Sequence, residues 1–310
     1  MKLPVVILPL IALAVPAFAQ AGKLEKPLVY VPVLPYEWLF ERVGGDWIEV
    51  ETIVGEGDDC HEYSPTPKQL AGISKANLIF SGDLGFEGNF FVKLGDGIDA
   101  PKEISLLEGL DLLEGSCEVC EHEHEHAEPA EGGKQSEEAH DHHHHDHAEL
   151  KDPHVWLSPK MLMQQADRVA SILKEFTVPA AAAAIDENVA ALKAELTAVH
   201  EELTVALEPM KGQTFYVYHG AFAYFAQAYG LEQKAIEVTG RRPSPKQLAG
   251  IASQAKEDNV KVIFVQPQFD QSSAASLAET IGGTVQELDP LEKDVIGNLR
   301  AIAAAIRKTR

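Results

Sequence analysis

One motif of nine residues occurs twice in this chain. The first copy, PTPKQLAGI, spans residues 65–73, and the second, PSPKQLAGI, spans residues 243–251, so that only Thr66 and Ser244 differ. An identity that includes proline, lysine and glutamine arises by chance far less often than a match between generic helix-forming residues. We interpret the motif as an internal repeat, which predicts two similar units in one chain.

The sequence on either side of the motif repeats as well. A β-prone apolar run and then a helical pattern precede each copy, in VYVPVLPYEWLFERVGG from Val29 and in FYVYHGAFAYFAQAYGL from Phe215. Buried-strand patterns follow, NLIF from Asn77 and KVIF from Lys261, and last strands are expected near 103–107 and 284–288. Strands that alternate with helices predict a parallel sheet covered on both faces. The expected fold class is α/β, with two pseudo-repeated lobes.

A long helix is expected between the lobes. Residues 180–208 contain no glycine or proline and are rich in alanine, leucine and glutamate, with apolar residues three and four apart. At a helical rise they would extend about 40 Å, the height of both lobes. Such a connector is stiff, which favours a small closure of the lobes. The predicted domains are an N-terminal lobe at 20–178, the connector helix at 179–210 and a C-terminal lobe at 211–310.

The first 19 residues are predicted to be a cleaved secretory signal. One lysine, an apolar run and Ala17-Phe18-Ala19 form the usual pattern, and the run is short and carries prolines, which argues against a retained anchor. No cysteine follows the cleavage point, so a lipid anchor is not expected. The prediction is therefore an exported protein. Its net charge of −22 argues against nucleic acid as a partner and favours cations.

Much of the acidity and most of the histidine lie in one segment, residues 117–150. Its imidazoles would bind Zn²⁺ near neutral pH and release it on acidification, so we interpret it as a zinc-collecting loop, disordered without metal. A merely solvated insertion is the alternative. Cys117 and Cys120 at its start could form half of a metal site or a disulfide. The possible additional ligands here are His122, His124, His126, His140, His142, His143, His144, His145 and His147.

Three of the other four histidines are candidate ligands. His61, His154 and His219 lie beside turns at predicted strand ends or loops, and Asp289 ends the last strand, whereas His200 lies mid-way along the connector and is expected on its solvated surface. Ligands of open parallel sheets bind outside the carboxyl ends of the strands. Each residue alone could be a capping or turn residue. Together, three imidazoles and a carboxylate suit tetrahedral Zn²⁺.

The repeat supports this interpretation of the histidines. When the halves are aligned through the shared motif, His61 falls opposite Thr239, and when they are aligned through the first strands, His219 falls opposite Val33. The scaffold is therefore duplicated but the histidines are not. This favours a role in a site over a role in packing.

At these residues the sequence resembles the periplasmic solute-binding proteins of zinc and manganese uptake ABC transporters. The matching motifs are EYSPTP after the first histidine, DPHVWLSP, YHGAFAYFAQAYGL, RPSPKQL and the late LDP, and they extend over essentially the mature chain. The resemblance implies two four-stranded lobes, a metal between them, and delivery to a membrane permease with a cytoplasmic ATPase. It also implies a monomer that is not an enzyme.

Carried over by position, the resemblance makes His61, His154 and His219 the metal ligands and Asp289 the fourth. Manganese members usually have a carboxylate where His219 stands, so this histidine and the histidine-rich loop favour zinc over manganese. Zinc members often have an acidic residue where this chain has Cys60. Its thiolate could compete with Asp289 for the metal. We instead expect a buried free thiol or a disulfide with Cys117 or Cys120, because a soft thiolate would hinder release.

Two further functions use the same features. A periplasmic zinc buffer or an adhesin would use the loop without requiring the three histidines to converge. A zinc hydrolase would need an open water position and a general base, but the sequence contains no HExxH and the proposed Asp289 would fill the position that water needs. A binding protein without catalytic chemistry therefore accounts best for the sequence.

Overall fold

The computed structural model describes residues 26–88, 90–91, 102–115, 151–237, 242–269 and 271–309. The predicted signal peptide and the predicted zinc-collecting loop, with its nine histidines and Cys117 and Cys120, lie outside the described residues. Within the described part of the chain, no helix combines the length and the apolar character that a bilayer crossing requires.

The N-terminal lobe is built on a four-stranded parallel sheet in the order β2-β1-β3-β4. Its third strand, LIFS, is buried on both faces, as a strand of a covered parallel sheet should be. Helix α1 begins after Val33 with a proline in its first turn, which presets the helical φ. The elements of this lobe are β1 (Leu28–Val31), α1 (Leu34–Gly44), β2 (Glu49–Thr52), α2 (Pro67–Ile73), β3 (Leu78–Ser81) and β4 (Lys102–Ser105).

The C-terminal lobe repeats this topology. Its sheet is parallel throughout and runs in the order β6-β5-β7-β8, in which each strand holds the place of its counterpart in the first sheet. The predicted fold class is confirmed. The elements are β5 (Thr214–Val217), α5 (Ala223–Tyr229), β6 (Glu232–Ala235), α6 (Pro245–Glu257), β7 (Val262–Val265), α7 (Ser272–Ile281), β8 (Thr284–Glu287) and α8 (Val295–Arg307).

Two long helices connect the lobes, α3 (Pro159–Phe176) and α4 (Ala182–Leu207), and 3₁₀ turns at Pro179–Ala181 and Glu208–Met210 flank α4. Helix α4 packs against α3, α1 and α8, and a cluster of buried apolar side chains continues from the N-terminal sheet past α4 to α8. The predicted long helix is therefore present and is part of the core. The exact domain boundaries stay a prediction. The buried face of α4 consists of Ile185, Val189, Leu192, Leu196, Val199, Leu203 and Leu207.

The expectation for His200 needs correction. Its side chain is partly buried, and its ring lies against Tyr229 of α5 with ring centroids 5.5 Å apart. The sequence pattern places His200 between a buried and an exposed position of α4, and the neighbouring α5 covers this flank. His200 is thus a packing residue and not a fully solvated one.

The repeated motif begins a helix in each lobe, and both helices start with a capping box. The hydroxyls of Thr66 and Ser244 accept the backbone N–H of Gln69 and Gln247, and the glutamine side chains accept the cap residues' N–H groups in return. Threonine and serine both supply the hydroxyl that a cap needs. The one difference between the two copies therefore leaves the local structure unchanged.

Candidate metal centre

Three chain segments bring histidines to the cleft between the lobes. His61 lies in the loop that joins β2 to α2, His154 caps the 3₁₀ turn Val155–Leu157 ahead of α3, and His219 lies two residues after β5. His61 and His219 follow strands of different sheets, and ligand sites form at the carboxyl ends of such strands. The convergence expected from the sequence is therefore present in the fold. We call His61, His154 and His219 the histidine trio.

The ring nitrogens of the trio face one another. The Nε2 of His219 lies 3.0 Å from the Nε2 of His61 and 3.4 Å from the Nε2 of His154. One ring nitrogen from each of the three histidines lies within 4.8 Å of the other two. Tetrahedral Zn²⁺ with Zn–N bonds of about 2.0–2.1 Å places its nitrogens about 3.3–3.4 Å apart. The cavity beside the rings measures about 10 Å³, which is room for one water-sized sphere. The trio thus has the spacing of a single-ion site.

Buried carboxylates orient two of the three rings. Asp152 Oδ1 lies 2.8 Å from the Nδ1 of His154, and Glu237 Oε1 forms a short hydrogen bond with the Nδ1 of His219. All four side chains are almost fully buried. When each ring donates its Nδ1 hydrogen to the carboxylate, its Nε2 presents a lone pair to the cavity. Two buried negative charges therefore stand behind the rings and would balance a divalent cation.

The third ring, His61, is held differently. Its backbone N–H donates to Asp59 Oδ1 at 2.8 Å, and its side chain is half-buried, more open to solvent than the other two. Burial holds the pKa of His61 well below its usual value, and positive charge on His219 or His154 would lower it further. The ring is therefore neutral near pH 7, which is the form that binds metals.

Asp289 directly precedes Pro290, which lines the cavity, and its carboxylate is engaged by other groups. Its Oδ1 accepts hydrogen bonds from Gln268 Nε2 at 2.9 Å and from the backbone N–H of Leu291 at 2.8 Å. Pro290 and Leu291, which follow Asp289 in the chain, and its hydrogen-bond partner Gln268 line the cavity. Its assignment as the fourth ligand stays a prediction, and it would require a carboxylate oxygen to turn towards the cavity.

Cys60 and Asp59 line the same cavity as the trio. The thiol is buried, with 4% of the residue exposed. A possible ligand atom from each of Asp59, Cys60 and His61 also lies within 4.8 Å of the other two. The predicted disulfide would pair Cys60 with Cys117 or Cys120, which lie outside the described residues, so that this choice stays a prediction.

The sequence interpretation missed four residues of the site. Besides Asp152 and Glu237, Gln266 binds both backbone groups of His219, at 3.1 Å and 2.8 Å, and Phe269 stacks on the His219 ring with centroids 5.0 Å apart. Glu237 follows β6 and Gln266 follows β7 directly, so the strand-end rule that selected the histidines could also have found them. Asp152 could have been found two residues before His154, in the motif DPH.

The two α/β lobes share a strand order, are joined by a long helix and hold three imidazoles between them. These features define a two-lobed binding protein whose cleft could hold a metal ion. Residues 29–309 match the family described as zinc-uptake complex component A, periplasmic. The chain belongs to this family.

Individual relatives agree with this assignment. The chain is 29% identical over 280 residues to the high-affinity zinc uptake system protein ZnuA of Bacillus subtilis, covering 89% of this chain and 81% of the relative. A crystal structure of ZnuA is similar at 32% identity with a TM-score of 0.78, covering 92% of this chain and 99% of that one. The structure of a ZnuA deletion mutant with zinc bound is similar at 32% identity and a TM-score of 0.77, with 92% and 98% covered.

Proposed function

We propose that this protein captures Zn²⁺ between its lobes and delivers it to an ABC-type membrane permease for zinc uptake. The observation that carries the proposal is the convergence of the trio, with two of its rings oriented by the buried carboxylates Asp152 and Glu237. This proposal requires no group of the site to make or break a covalent bond in a substrate. The site is built to hold an ion and release it.

The donor atoms favour zinc over manganese. Imidazole nitrogens suit Zn²⁺, whereas Mn²⁺ prefers carboxylate, carbonyl and water oxygens. The trio supplies three nitrogens. The carboxylates of Asp152 and Glu237 bind the Nδ1 atoms of His154 and His219, on the side of each ring away from the cavity. Manganese or another divalent metal remains the alternative cargo, and the names of the zinc-uptake relatives support zinc.

The family supports a proposal for the partner and the location. We propose a periplasmic protein, exported by the predicted signal at residues 1–19, that works as a monomer with a permease and its cytoplasmic ATPase. The predicted loop at 117–150 would collect zinc for the cleft. A zinc buffer or an adhesin would need no convergent trio, and a zinc hydrolase would need a general base that faces an open metal position.

The first test is native mass spectrometry of the zinc-loaded protein. The wild type and a variant that lacks residues 117–149 are expected to hold one tight zinc ion each, because the trio lies outside the loop. His219→Ala is expected to lose the ion or bind it much more weakly, since it removes the ring that approaches both of the others.

His200→Ala is the matched control, because it removes a histidine that packs on Tyr229 away from the cleft. A His219→Ala protein that kept zinc as tightly as the wild type would contradict the proposal. Growth under zinc starvation that is unchanged by loop deletion, with unchanged zinc stoichiometry, would contradict the collecting role of the loop. Hydrolysis of esters or peptides by the zinc-loaded protein would favour the hydrolase.

A further inference from the structure

The cavity beside the trio borders a second group of donors of different chemistry. We propose that Asp59, Cys60 and His61 form an entry site for the metal ion, which shares His61 with the trio. We call these three residues the entry set. The inference rests on the proposed function, because it describes how an ion reaches the trio, and it assigns Asp59 and Cys60 as transient ligands.

The geometry places three kinds of donor together. A carboxylate oxygen, a thiol sulfur and an imidazole nitrogen lie within 4.8 Å of one another, and all three residues line the cavity that the trio also borders. The hydrogen bond from the His61 backbone N–H to Asp59 Oδ1 fixes the turn that brings them together. A carboxylate has further lone pairs, so this one bond leaves Asp59 able to bind a cation.

Exposure orders the donors along the path. Asp59 and His61 are half-buried, whereas Cys60 is 4% exposed and His154 and His219 are each 2% exposed. An ion from solvent therefore meets Asp59 and His61 first and Cys60 behind them. The Asp59 carboxylate also attracts a hydrated cation more strongly than neutral imidazoles do.

The shared residue provides a route between the sets. His61 keeps its bond to the ion while Asp59 and Cys60 are exchanged for His154 and His219, so that the ion is never released fully into the cleft. The Cys60 thiol loses a proton when it binds the ion and regains one when the ion moves on, and no electrons are transferred. Transient coordination also removes the objection that a soft thiolate would hinder final release.

The test uses Co²⁺, because cobalt bound to thiolate gives a sulfur-to-metal charge-transfer absorption that nitrogen and oxygen ligands do not give. Cys117→Ser and Cys120→Ser are introduced into the full chain so that Cys60 is the sole thiol. In this background, His154→Ala with His219→Ala disables the trio and leaves the entry set. Cobalt is expected to bind with the thiolate absorption. Cys60→Ser should abolish the band. It should also weaken cobalt binding by at least about tenfold, because loss of a residue that only hydrogen-bonds to a metal ligand already costs that much affinity.

A trio-disabled protein without the thiolate band, with folding verified by circular dichroism, overturns the inference. If that variant does not fold, the rate of zinc association in the trio-intact, single-thiol protein decides. Cys60→Ser should slow association by about tenfold while one zinc still binds, and an unchanged rate overturns the entry site. Neither result touches the proposed function, which is tested separately by the zinc affinity of His219→Ala.

Discussion

At the scale of single residues, the candidate site depends on carboxylates that do not face the cavity. Glu237 and Asp152 bind the Nδ1 atoms of His219 and His154 from within the core. Their hydrogen bonds decide which nitrogen of each ring is available, and their charges offset that of a cation which the protein would otherwise have to bury uncompensated.

Glu237→Gln is expected to weaken zinc binding by about 10–100-fold, because the amide removes a buried negative charge and no longer fixes the ring's tautomer. The dissociation constant, measured by competition with a chelator, checks this. Glu62→Gln is the control, since Glu62 carries the same charge on an exposed side chain next to the site. Equal affinities for Glu237→Gln and the wild type would show that the carboxylate only fills space.

Glu87 gives a prediction on pH and stability. Burial raises the pKa of this carboxyl to about 8, although the backbone N–H groups of Gly82 and Leu84 donate to it. Between pH 4.5 and 8 the folded protein therefore retains a proton that the unfolded chain releases. The contribution of Glu87 to the free energy of unfolding should fall across this window, with a slope of at most about 1.4 kcal/mol per pH unit, and level off above it.

Urea unfolding of the wild type and of Glu87→Gln, compared at several pH values, measures this contribution. The difference between the two proteins should change across the window, because glutamine does not titrate. A difference that stays constant from pH 5 to pH 8 would contradict the raised pKa.

At the scale of elements, the repeated motif specifies how a helix begins. Its hydroxyl, proline and glutamine form the capping box and first turn of α2 and of α6. Helix α2 has 7 residues and α6 has 13. A short helix has few internal hydrogen bonds, so α2 depends more on its cap.

Thr66→Ala is expected to lower the free energy of unfolding by about 1 kcal/mol, because the N–H of Gln69 loses its partner. Thr66→Ser, which copies the second motif, should be close to neutral. Urea denaturation measures both. If serine costs as much as alanine, the threonine methyl and not the hydroxyl stabilises this end of α2.

At the scale of the whole molecule, the lobes are tied together beside the site. Trp156 is fully buried before α3, and its Nε1 donates to the backbone oxygen of Pro290 at 2.8 Å. Tyr224 donates to the backbone oxygen of Asp152, and Lys293 pairs with Glu37 and Glu41. Together with the continuous core along α4, these contacts hold the lobes to each other; the small closure between lobes stays a prediction.

Trp156→Phe is expected to lower the free energy of unfolding by about 1–3 kcal/mol, because it leaves the Pro290 oxygen without its donor and removes part of a packed ring. It should also weaken zinc binding, since Pro290 and Leu291 line the cavity. Denaturation and zinc titration of the variant test both effects. Trp47→Phe, at a partly buried turn of the N-terminal lobe, is the control and should leave zinc affinity unchanged.

Much of this structure could be predicted because its signals are local. The repeat, the run of NLIF and the length of α4 depend on periodicity and on capping, which neighbouring residues determine. His61 and His219 could be selected because polar residues at strand ends of a parallel sheet share one edge, and His154 because it lies beside a turn signal and outside any periodic helix. The same rule could have pointed to Glu237 and Gln266, but without the fold neither residue could be told from an ordinary loop residue.

The sequence by itself determined two similar α/β lobes, the helix between them and the three histidines at strand ends or in loops. Only the tertiary structure decided which carboxylates stand behind which rings, that Asp289 is held by Gln268 and Leu291, and that Cys60 and Asp59 share the cavity. Helices and strands follow from short-range periodicity, whereas side chains from 59 to 291 meet only after both sheets pack against α3 and α4. Ångström-scale contacts between distant segments depend on that packing and have no local signature.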